Sequence, residues 1–82
     1  MYEIIPTHQF ERVYRRLSQK IQDQVDRTID LLIIDPRHPS LRTHKRKDDK
    51  TVWQARVTSS YRIYFQMEGE TITLVTVTTH EK

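Results

Sequence analysis

From Phe10 to Ile33 the apolar residues fall at Phe10, Val13, Tyr14, Leu17, Ile21, Val25, Ile29, Leu32 and Ile33. Spacings of three and four mark an amphipathic helix. An unbroken helix over residues 8–34 would run ~40 Å, longer than the ~30 Å width of a compact chain of this size. The pattern therefore predicts a break near Leu17-Ser18, with Thr7 capping the first helix and Ser18 the second. Asp35-Pro36 ends the pair, because proline disfavours helical geometry in the residue before it. Ahead of the helices, Met1 to Pro6 reads as a short strand built on Tyr2, Ile4 and Ile5 and stopped by Pro6.

From residue 52 the period changes to two. Strands over 52–57 and 61–67 form a tight hairpin if Val57 stands opposite Tyr61. That register sets Ala55 against Ile63 and Trp53 against Phe65, which makes one face apolar. It sets Gln54 against Tyr64 and Arg56 against Arg62 on the other. Glu68-Gly69-Glu70 is the next turn, and the only glycine of the chain sits where a positive φ is needed. Thr71 to Thr79 is a β-branched strand whose register is open by about one residue. Between Pro36 and Asp48 the segment 41–47 is a further short strand or an extended arm. The order is β-α-α-β-β-β, an α+β chain with a helical hairpin packed on one face of a small antiparallel sheet. Trp53, Ala55, Val57, Tyr61, Ile63 and Phe65 should lie under the helices, and Gln54, Arg56, Arg62 and Tyr64 should face away.

At 82 residues the chain is expected to be one domain, 1–82, with a small core that a binding partner would stabilise. It has no cysteine, hence no disulfide and no thiolate metal site. No apolar run approaches the ~18 residues of a membrane span, and no signal-peptide pattern opens it. A cytoplasmic protein without a membrane partner is the expectation. The histidines are scattered and no glycine-rich phosphate loop is present, so neither metal nor cofactor is expected. The net charge of +3 is unevenly placed. Residues 37–50 carry Arg37, Arg42, Lys45, Arg46, Lys47 and Lys50 against Asp48 and Asp49, six positive against two negative. Beside this segment, Arg56 and Arg62 stand directly opposite on one sheet face, where like charges repel. Such a pair is either splayed into solvent or neutralised by an anion, a carboxylate or a phosphate. With the basic segment alongside, the anion suggested is nucleic acid.

The basic run Leu41-Arg42-Thr43-His44-Lys45, then Trp53-Gln54-Ala55-Arg56-Val57, Tyr61-Arg62-Ile63-Tyr64-Phe65, Ile72 to Val77 and the closing Thr79-His80-Glu81 resemble the RelE/ParE toxin superfamily in order and spacing. The resemblance covers nearly the whole chain. It implies a small toxin of a type II toxin–antitoxin system, neutralised by a cognate antitoxin. RelE-like members enter the ribosomal A site and cut messenger RNA; ParE-like members share the fold and poison DNA gyrase. In the RNA-cutting branch basic residues on the concave sheet face hold the scissile phosphate. Arg62 matches the arginine of the Tyr-Arg strand, Arg56 a basic residue on the preceding strand, and His80 a position near one where members carry arginine or histidine. The chain departs from that branch in having no tyrosine beyond the last strand and no glutamate in 41–47. The resemblance therefore implies an mRNA interferase, with a non-catalytic member as the alternative: a ParE-like gyrase inhibitor, or a degenerate toxin that only binds its antitoxin.

The chemistry sets its own demands. Metal-independent RNA cleavage needs a base for the 2′-hydroxyl, an acid for the leaving oxygen, and cations for the phosphoryl charge. Arginine serves only the last role. Histidine, with an ordinary pKa of about 6.5, serves the others. The expected catalytic set is His80, Arg62 and Arg56. The expected RNA-binding set is Arg42, His44, Lys45, Arg46, Lys47 and Tyr64, with RNA or the ribosome as the partner. Tyr64 could stack on a base; Tyr61 and Trp53 belong to the core side.

Overall fold

A computed structural model describes residues 1–79. Strand β1 (Glu3–Pro6) leads into helix α1 (His8–Arg16) and helix α2 (Gln19–Ile34). A 3-10 turn (Pro39–Leu41) precedes β2 (His44–Lys45), β3 (Trp53–Arg56), β4 (Tyr61–Glu68) and β5 (Thr71–Thr79). The sheet order is β1-β5-β4-β3-β2. The pairs β2–β3, β3–β4 and β4–β5 are antiparallel, as the successive hairpins require. β1 adds itself parallel to β5, so the five-stranded sheet is mixed.

The helix break falls where chain length demanded it. Thr7 Oγ1 accepts from Phe10 N at 3.1 Å and Ser18 Oγ from Ile21 N at 3.3 Å. Asp35 closes α2 in extended geometry ahead of Pro36. The chain then fits in 31 × 28 × 25 Å.

The hairpin register is Trp53–Phe65, Gln54–Tyr64, Ala55–Ile63 and Arg56–Arg62. It continues into β5 as Phe65–Leu74, Ile63–Val77, Tyr64–Thr76 and Arg62–Thr78. Between Thr76 and Leu74 the register skips Val75, a bulge. Without that extra residue the inward positions of β5 would stay even-numbered; with it they run Ile72, Leu74, Val77, all fully buried. The bulge is held by the residue that caps α1. Thr7 Oγ1 lies 2.8 Å from Leu74 O and 2.9 Å from Val75 O, and Thr7 N donates to Leu74 O at 3.0 Å.

Phe10, Val25 and Leu32 of the helices and Leu41 of the 3-10 turn close the core over Ala55, Ile63 and Phe65. Leu41 therefore anchors the start of the basic segment, aided by Thr43 Oγ1, which donates to Pro36 O at 2.6 Å. Trp53 and Tyr61 lie on the covered side but are only half-buried at its margin. Gly69 has φ of +58°, as the turn demanded. No helix among the described residues is long and apolar enough to cross a membrane.

Candidate functional site

The face of the sheet turned away from the helices carries two cross-strand rows. One is His44–Gln54–Tyr64–Thr76, the other Arg56–Arg62–Thr78. Where the rows meet the basic segment, Arg42, His44, Gln54, Arg56 and Arg62 line a depression of about 280 Å³. Arg42 reaches it from the end of the 3-10 turn, in the left-handed conformation at φ 49°.

Three of these five side chains are guanidinium groups. Among the described residues, the carboxylate contacts of cationic side chains are Arg46–Asp48 and His8–Glu11; Arg42, Arg56 and Arg62 take part in neither. The neutralising carboxylate that an opposed arginine pair could have recruited is not among the described residues. Arg62 is instead steadied by its own turn: Nη1 donates to Thr58 O at 2.7 Å and to Tyr61 O at 3.1 Å. That turn is in turn built by Thr58 Oγ1, which accepts from the backbone of Ser60 and of Tyr61. These contacts fix the guanidinium and, among the described residues, bring no carboxylate to it.

His44 is held at both ring nitrogens. Nδ1 lies 2.8 Å from Arg42 O and Nε2 lies 2.8 Å from Gln54 Nε2. A carbonyl only accepts, so the proton sits on Nδ1 and Nε2 accepts from the Gln54 amide. Protonating Nε2 would require the Gln54 amide to turn and offer its oxygen. Gln54 is thus a site residue that sequence reasoning placed on this face without assigning it a role. The only signal was its parity with Arg56.

The other expected residues divide. Tyr64 and Arg46 belong to this face, and the Arg46 guanidinium carbon stands 4.7 Å from the Tyr64 ring centroid. Arg46 is also forked onto Asp48, with Nε to Oδ1 at 2.9 Å and Nη2 to Oδ2 at 2.8 Å. Those bonds hold the guanidinium pKa above its ordinary value. Asp49 next door serves the turn, its carboxylate kept below the ordinary range by hydrogen bonds from the Thr51 hydroxyl and backbone. Lys47 is exposed beside the Arg46–Tyr64 pair. Lys45 goes the other way. Paired with Trp53, it falls on the helix side of the sheet and places its ammonium 5.2 Å from the Trp53 ring, where Arg37 also sits, at 5.5 Å. His80 lies outside the described residues. No cluster of three metal-ligating side chains occurs among the described residues.

A larger depression of about 320 Å³ lies on the opposite side, between α1, α2 and the β1–β5 edge, lined by Ile4, Phe10, Tyr14, Ile29 and Leu74 with Glu11, Arg15 and Asp26 at its polar rim. It has one cation and two carboxylates, and is no place for a polyanion.

Residues 6–82 match the model of the family described as ParE toxin of type II toxin-antitoxin system, parDE. The chain belongs to the ParE toxin family. With it comes membership of the RelE/ParE superfamily and of the toxins of type II toxin–antitoxin systems. Solved structures agree on the fold. The YoeB/ParE toxin from Agrobacterium tumefaciens superposes on this ParE-family chain with a TM-score of 0.81 at 15% identity, covering 96% of this chain and 99% of that one. The isolated E. coli RelE toxin gives 0.77 at 15% identity, covering 100% and 87%. A chain of the intact E. coli RelBE toxin-antitoxin complex gives 0.78 at 18% identity, covering 100% of both. No curated protein is significantly similar to it in sequence.

Proposed function

We propose that this toxin acts on RNA, gripping a backbone phosphate in the depression between Arg42, Arg56 and Arg62 and cutting the messenger at the ribosome in the manner of the RelE branch. The observation that carries this reading is the clustering of three guanidinium groups without a carboxylate partner among the described residues. Guanidinium forks match phosphate oxygens and stabilise the charge that builds on them during transfer. His44, at the edge of the same depression, and His80 are the groups that could move protons. His44 is better placed than its position in a basic arm suggested. Its Nε2 lone pair becomes available as a base once Gln54 lets go, and the Arg42 carbonyl holds the ring in the required tautomer.

An antitoxin partner follows from the family and from relatives solved as toxin–antitoxin complexes. The apolar cleft beside β1 and the exposed Ile5 and Ile34 would suit the apolar side chains of such a segment.

The matching family model is the ParE one, which favours a second reading, inhibition of DNA gyrase without RNA cleavage. Inducible expression separates the two. Primer-extension mapping should show new messenger 5′ ends within minutes for the wild type and none for Arg56→Ala. If transcripts stay intact while supercoiling by gyrase is blocked in a purified assay, the RNA-cutting reading falls and the gyrase reading stands.

A further inference from the structure

The arginines of the open face are of two kinds. Arg42, Arg56 and Arg62 have no carboxylate partner among the described residues and suit phosphate. Arg46 is already neutralised by the two-bond fork to Asp48. A phosphate approaching it would have to displace that carboxylate or sit beside its charge. What Arg46 still offers is a plane. One side of the guanidinium lies over Tyr64, and the side chain keeps 35% of its surface exposed. Guanidinium planes and aromatic rings are the surfaces on which unstacked bases lie.

The position is right for a neighbouring nucleotide. Arg46, Lys47, Asp48 and Tyr64 line a second depression, of about 290 Å³, which shares His44 and Gln54 with the arginine pocket and which Lys45 also borders, its ammonium on Trp53. Along the strands the Gln54–Tyr64 pair is two residues from the Arg56–Arg62 pair, about 7 Å at the rise of a β-strand. That is the scale of one nucleotide step in an extended strand.

We propose that Arg46 lying on Tyr64 is a stacking platform for the base next to the phosphate held by Arg42, Arg56 and Arg62, with Asp48 the positioning residue that keeps the guanidinium over the ring. The proposal rests on the RNA-binding reading above. It makes a demand opposite to simple electrostatics. Removing a negative charge from a basic surface should tighten RNA binding, yet removing Asp48 should loosen it, because the platform loses its brace.

The test uses a tetraribonucleotide made uncleavable by 2′-deoxy substitution, with 2-aminopurine placed at each position in turn, titrated with the full-length chain. One position should be quenched on binding. Asp48→Asn should weaken binding by roughly three- to tenfold, a fraction of what one stacked base contributes, and relieve that quench. Asp49→Asn removes the same charge from the adjacent residue and should leave affinity equal or slightly tighter. Arg46→Lys keeps the charge and loses the plane; the quench should go while the salt dependence stays. Asp48 is exposed, and matching thermal melts verify that each variant is folded. If Asp48→Asn and Asp49→Asn change affinity alike, Asp48 acts only through charge and the platform is wrong. If Asp48→Asn binds more tightly than Asp49→Asn, Asp48 competes with RNA and the platform is equally wrong. Quenching that survives Arg46→Lys also overturns it. A wild-type chain that binds no oligonucleotide at all overturns the RNA reading itself, and the platform with it.

Discussion

At the scale of single residues, Arg56 and Arg62 face each other across one register position but are not equivalent. Arg56 makes no side-chain hydrogen bond or ion pair among the described residues, whereas Arg62 ties down the two carbonyls that flank its turn. Arg56→Ala should therefore weaken RNA binding with an unchanged melting temperature. Arg62→Ala should weaken it as well and also cost about 1 kcal/mol of stability, the usual net worth of a hydrogen bond, or roughly 4–8 °C in a chain this small. Equal melting temperatures for the two variants would show that the Arg62 contacts contribute nothing to the turn. The sequence made the pair legible because parity alone sets Arg56 opposite Arg62 once the turn is located. It did not make the role of Gln54 legible. That role comes from pairing β2 with β3, and a two-residue strand has no alternating pattern from which to read its register. The same blindness hid the fate of Lys45, whose one-residue offset from His44 sends it to the opposite face, onto Trp53.

At the scale of elements, the helices, their caps and the β3–β4 hairpin were all legible, because each rests on a local period or a local capping residue. The parallel docking of β1 on β5 and the bulge at Val75 were not. The first joins residues 68 apart in sequence, Glu3 with Thr71 to Pro6 with Leu74; the second lies inside the β4–β5 hairpin, where no glycine or proline marks it. Thr7 joins the two levels, since its hydroxyl caps α1 and also meets the bulge carbonyls. Thr7→Val keeps the shape and removes both functions. It should cost about 1–2 kcal/mol, as a lost cap with a partly buried carbonyl contact does, read as a lower urea midpoint at unchanged slope. A cost below a few tenths would mean that the cap alone is present and weak. The helix pair has its own link, the Tyr14 hydroxyl donating to Asp26 Oδ1 at 2.7 Å. That hydrogen bond, with burial and the Asp26 charge behind it, raises the Tyr14 pKa above its ordinary value of 10.0. The neutral phenol is the form the fold prefers. Its contribution is thus complete below the ordinary tyrosine pKa and is lost as pH rises through the raised one. Tyr14→Phe should melt below the wild type at pH 7, and the gap should close in strong alkali. A gap that does not depend on pH would assign the effect to packing against Phe10, whose ring stacks 6.0 Å from that of Tyr14.

At the scale of the whole molecule, a net charge of +3 is small, and what matters is how it is sorted. The open face collects arginines that have no carboxylate partner among the described residues, while Arg46 is neutralised in place and Lys45 and Arg37 are drawn onto Trp53 on the other side. Only the first group, with a small addition from exposed Lys47, should release counterions from a bound RNA strand. For single strands each neutralised phosphate contributes about −0.7 to the slope of log K against log salt, so three to four contacts predict a slope of about −2 to −3. Arg56→Ala should flatten that slope by about one contact's share. Lys45→Ala should leave it unchanged, although both substitutions remove one positive charge. This comparison decides between a site and a merely basic surface. A diffuse cloud of charge would register the two losses equally, and equal slopes for Arg56→Ala and Lys45→Ala would show that the arginine depression has no special hold on phosphate.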